Sequence, residues 1–63
     1  MKILRNKLHA LGYSMHYTFG ISKTAEISPW RNVDNPQKFS VDMSDTVIGT
    51  REVEGILRLL QSQ

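Results

Sequence analysis

His16 is the residue of this chain best equipped to move a proton. Two residues away on either side stand the hydroxyls of Ser14 and Thr18. An imidazole titrates near neutral pH, so a histidine between hydroxyls on a wet surface can serve as general acid or base toward an ester or phosphodiester. No carboxylate lies near it in sequence to orient the ring, and no nucleophile motif accompanies it. The pattern therefore predicts a histidine that contacts a partner rather than one that turns over substrate. His9 is a weaker candidate for the same chemistry.

The second feature is Trp30-Arg31. Exposed tryptophan and arginine anchor protein interfaces and can stack on bases. The competing expectation is that the indole folds over the edge of a small core after Pro29. A Gly-rich phosphate loop, paired carboxylates and triad spacing are all missing. No enzyme is predicted.

Composition narrows the classes further. The 63 residues include no cysteine, which excludes disulfides and thiolate metal sites. Two histidines without ligand spacing predict neither metal nor cofactor. No apolar run approaches a membrane span, and Met1-Lys2-Ile3-Leu4-Arg5 lacks the apolar stretch of a signal peptide. A cytoplasmic protein is expected. The net charge of +2 is unevenly distributed, with five cations against one acid in residues 1–31 and three against five in 32–63. A basic first half attracts phosphate or an acidic protein surface, and Lys2, Arg5, Lys23 and Arg31 are the expected nucleic-acid contacts.

These residues must be positioned by local structure. Along residues 13–21 the odd positions Tyr13, Met15, Tyr17, Phe19 and Ile21 are apolar, and the even ones Ser14, His16, Thr18 and Gly20 are small or polar. Period two predicts a strand with one buried and one wet face. Before it, Ile3, Leu4, Leu8 and Leu11 share an arc at helical period, with Lys7 inside that arc, and Gly12 supplies a left-handed cap. A second strand is expected over 24–28, where Pro29 ends it or marks it as a sheet edge. Turn residues fill 32–37, and alternation returns over 38–43 with Phe39, Val41 and Met43 on one face. Poor helix formers at 46–49 favour a last helix that starts after Gly49 over an earlier start at Ser44. Thr50 would be its N-cap, with Glu52 and Glu54 in the first turn, Val53, Ile56, Leu57 and Leu60 as its apolar stripe and Gly55 opposite that stripe.

The expected fold is a single α+β domain over 1–63. Its order is α-β-β-β-α, a three-stranded antiparallel sheet with two helices on one face. Leu8, Val41, Ile56 and Leu57 are expected in its core.

The pattern resembles the HicA-type toxins, small proteins with a double-stranded-RNA-binding-like fold. The matching pieces are the basic start leading to Leu8 and Gly12-Tyr13, the strand around Val41, and Ile48-Gly49-Thr50 leading to Ile56-Leu57-Arg58. The resemblance implies the same fold and contact with RNA. The family's Gly-Ser-His motif corresponds to Gly20-Ile21-Ser22-Lys23-Thr24, which has no histidine. Ribonuclease activity therefore does not follow.

Two functions remain. One is a non-catalytic protein-interaction module that uses Trp30, Arg31, His16, Ser14 and Thr18, with a protein or a second copy as partner. The alternative is an RNA- or DNA-binding module. A small core with no disulfide or metal favours a chain stabilised by assembly.

Overall fold

The computed structural model describes residues 2–20, 22–33 and 36–62, with the side chain of Phe19 outside the description. The expectations for Phe19 burial, Ile21 and part of the 32–37 turn thus fall outside the described residues. Five elements follow one another: α1 (Lys2–Ala10), β1 (Tyr13–Phe19), β2 (Lys23–Pro29), β3 (Phe39–Asp42) and α2 (Thr46–Gln61). The α-β-β-β-α order is the one the residue patterns predict. The sheet is antiparallel throughout, in the order β1-β2-β3, so β2 is central and β1 and β3 are edges.

Register explains the core. Met15 pairs with Ile27 and Ile27 with Phe39, while Tyr17 pairs with Ala25 and Ala25 with Val41. Cross-strand partners share a face, so two apolar rows lie side by side. Leu8 of α1 and Val53, Leu57 and Leu60 of α2 join Tyr13, Met15, Ala25, Ile27 and Val41 in one buried cluster. The opposite face carries the even-numbered residues Ser14, His16, Thr18, Thr24, Glu26, Ser28, Ser40 and Asp42, none of them buried.

Several sequence expectations are corrected. Ile3 does not join the core: it is 72% exposed, because α1 reaches the sheet through Leu8, with only partial burial of Leu4 and Leu11. Ile56, expected in the core, is half-buried at its margin.

Pro29 ends β2, as one of its two expected roles has it, and marks no edge, because β2 is the central strand. The amide of Trp30 donates to the Gly12 carbonyl at 2.9 Å, and that of Met43 donates to the Lys23 carbonyl at 2.8 Å. Even residues of β2 thus bond to β1 and odd ones toward β3. Pairing with β3 stops at Ile27, so proline's missing N–H would have pointed where no strand lies.

The second helix begins at Thr46, not after Gly49. Its N-cap is Asp45, whose carboxylate accepts from the Val47 amide at 3.0 Å and the Ile48 amide at 3.2 Å. Thr50 sits inside the helix, its hydroxyl donating to the Thr46 carbonyl at 2.6 Å. Glu52 and Glu54 accordingly lie beyond the first turn. Gly49 is buried, and a Cβ there would run into the Met43 side chain and the Asp42 carbonyl. Close packing of this turn over the end of β3 outweighs the weak intrinsic propensity of Thr46-Val47-Ile48-Gly49.

Candidate functional site

The residues singled out from sequence fall into two neighbouring groups. Ser14, His16 and Thr18 lie on the open face of the sheet, with His16 and Thr18 exposed and Ser14 half-buried. The Ser14 hydroxyl donates to the Ser28 carbonyl at 3.4 Å. The fold supplies His16 with a carboxylate that sequence proximity does not: Glu26 stands directly opposite on β2, and Ser40 stands opposite Glu26 on β3. Nucleophilic catalysis needs the base next to the hydroxyl, with the carboxylate behind the base. Here the order is His16, Glu26, Ser40, so the carboxylate separates the imidazole from that serine. The row offers a polar strip across the sheet.

Trp30 and Arg31 form a different corner. The chain leaves α1 with the amides of Leu11 and Gly12 bonded to the carbonyls of Leu8 and His9, each at 3.0 Å. Gly12 takes φ 94°, a left-handed conformation suited to glycine, and the chain turns directly into β1. This turn brings α1 back alongside β1 and sets His9 under Trp30. The two rings stack at 4.7 Å with 19° between their planes. The indole N–H donates to the His9 carbonyl at 3.2 Å, and the Arg31 guanidinium stands 5.8 Å from the Trp30 ring centre. Trp30 nevertheless remains 49% exposed, so it is neither a core residue nor a loose surface side chain.

Between these groups runs a groove along the outer side of β1, lined by Arg5 and His9 of α1 and by Ser14, Met15, His16 and Tyr17. The Arg5 guanidinium lies 5.2 Å from the Tyr17 ring centre. His9, set aside in the sequence reading, joins the groove to the tryptophan corner. A periodicity argument could place it on the polar side of α1, but only the sheet register brings it to a residue 21 positions away.

The four expected phosphate contacts do not form one patch. Arg31 follows the end of β2, and Lys23 is its first residue, about 20 Å away at strand rise. Arg5 beside Tyr17 and His9 beside Trp30 show that α1 runs antiparallel to β1, which carries Lys2 toward the Lys23 end.

Asp42 lies elsewhere, at the end of β3. The Ser44 backbone N–H, at 2.9 Å, and then the Ser44 hydroxyl hold Asp42 below the ordinary carboxylate range. Among the described residues, no group of three His, Cys, Asp or Glu is arranged to hold a metal ion. None of their helices is long and apolar enough to cross a membrane. No protein-family model, curated protein or solved structure matches the chain.

Proposed function

We propose that this chain is a cytoplasmic, non-catalytic protein-interaction module that binds a larger protein, as an inhibitor or adaptor would. The observation that carries this reading is the Trp30 corner. A half-exposed indole is held flat by a stacked imidazole and a hydrogen bond, with an arginine beside it. Aromatic and arginine anchors dominate binding energy at protein interfaces, and an anchor already fixed in place loses less entropy on binding. The polar open face, with His16, Ser14 and Thr18, supplies the hydrogen-bonding surround.

The test is affinity capture of a partner on wild type and on Trp30→Ala, followed by titration of the purified partner. Loss of a true anchor costs about 2 kcal/mol or more, a fall in affinity of about 30-fold. Equal affinity without the indole would defeat the proposal.

A second reading, contact with RNA in the manner of the HicA-type toxins, is favoured by one observation: no acidic residue precedes Glu26. The separation of Lys2 and Lys23 from Arg31 weakens it. A nucleic-acid contact would show as a slope of log affinity on log salt that flattens by about 1 for each phosphate-binding cation neutralised.

A further inference from the structure

We propose that the outer edge of β1 accepts an extended acidic segment of the partner protein as a fourth strand. The proposal rests on the protein-interaction reading above and names the chemistry of the partner. β1 is a sheet edge of seven residues with no proline, lysine or acidic residue in it. Edge strands usually carry such residues because unpaired backbone groups recruit other strands. The opposite edge, β3, has only four residues and ends on Asp42, with Lys38 just before it.

The direction of the free backbone groups follows from the ladder. Gly12 and Trp30 form a bonded pair, so Ser14, His16 and Thr18 turn their backbone groups toward β2. Tyr13 and Met15 then turn theirs outward, where an added strand would meet them. Their side chains stay in the core, so pairing needs no change in packing.

Charge selects the occupant. The groove beside this edge carries the Arg5 guanidinium from α1, with His9 and His16 as hydrogen-bonding neighbours. Residues 2–20 contribute no carboxylate, and the nearest acid by register, Glu26, belongs to the open face of β2. An acidic strand would meet complementary charge along this edge. A second copy would bring its own Arg5 guanidinium against the first, so self-pairing through β1 is disfavoured.

The test selects a phage-displayed library of random 12-residue peptides on the full folded chain. The enriched peptide is then mapped by amide chemical shifts and intermolecular nuclear Overhauser effects. The expected peptides are rich in Asp and Glu and free of central proline. They should perturb and protect the Tyr13 and Met15 amides and lose about tenfold in affinity against Arg5→Glu. Circular dichroism checks that this exposed substitution leaves the fold intact, and the wild-type map stands independently of it.

Basic or apolar enriched peptides, or perturbation confined to the open face or the Trp30 corner, would overturn the fourth strand while leaving the interaction reading in place. Failure to enrich any peptide would overturn it as well. If duplex RNA alone bound, with a steep salt dependence, both readings would fall.

Discussion

Gly12→Ala should weaken the fold and disturb the Trp30 corner together. At φ 94°, a Cβ costs about 1–2 kcal/mol in backbone strain. The same Cβ would also run into Nε, Cγ and Cδ of Arg31. The Arg31 side chain is exposed and can swing away, so the collision adds less than a backbone clash would. A total of about 1–3 kcal/mol is expected, against the roughly 3–5 kcal/mol that a core of this size supplies. For a domain this small each kcal/mol lowers Tm by about 4–8 °C. Thermal melts followed by circular dichroism would compare Gly12→Ala with Gly20→Ala. Gly20 has no positive φ and open space around its missing Cβ, so its alanine variant should stay within about 0.5 kcal/mol of wild type. Arg31→Ala in combination with Gly12→Ala separates the two causes: the collision vanishes and the strain remains. Equal melting of Gly12→Ala and Gly20→Ala would refute the cap and the turn built on it.

Other substitutions test other parts of the fold. Ile27→Ala, at the centre of the sheet and fully buried, should cost about 2–5 kcal/mol and leave little or no cooperative transition in urea. Asp45→Ala removes the acceptor for two amides at the start of α2 and should cost about 1 kcal/mol by chemical denaturation, whereas an N-cap at Thr50 would make it neutral. Asp42 is held below its ordinary pKa, so the stability it contributes is present above the unfolded carboxylate pKa and fades as pH falls through the lower folded value. Asp42→Asn should flatten that acid limb of a stability-versus-pH curve, and an unchanged limb would show that the Ser44 contacts do not matter in solution.

Much of the fold was legible because period two and period 3.6 are local signals. The alternation from Tyr13 onward gave β1 with the correct faces, and Gly12 gave the turn that precedes it. What was not legible depended on partners distant in sequence. Thr46 to Gly49 are weak helix formers, and only the Asp45 cap and the fit of Gly49 against Met43 make them helical. Pro29 ends β2, one of its two expected roles, but marks no edge: β3 is too short to reach it, so a central strand tolerates it. Ile3 fits the apolar arc of α1 but lies beyond the sheet's reach. At the candidate site, Trp30 and Arg31 stood out by type. The stacking of Trp30 on His9, and the placement of His16 opposite Glu26, follow from strand register and helix direction, which residue spacing does not encode.

Trp30 is the single tryptophan of the chain, so its fluorescence reports directly on the corner at the centre of this account. The decisive measurement is its emission during titration with a selected acidic peptide and, separately, with an RNA duplex of about 20 base pairs, longer than the roughly 16 that a double-stranded-RNA-binding fold spans. A saturable blue shift is expected with the peptide, as the indole loses water, and no change with the duplex. A saturable, salt-sensitive response to the duplex, with none to the peptide, would contradict it.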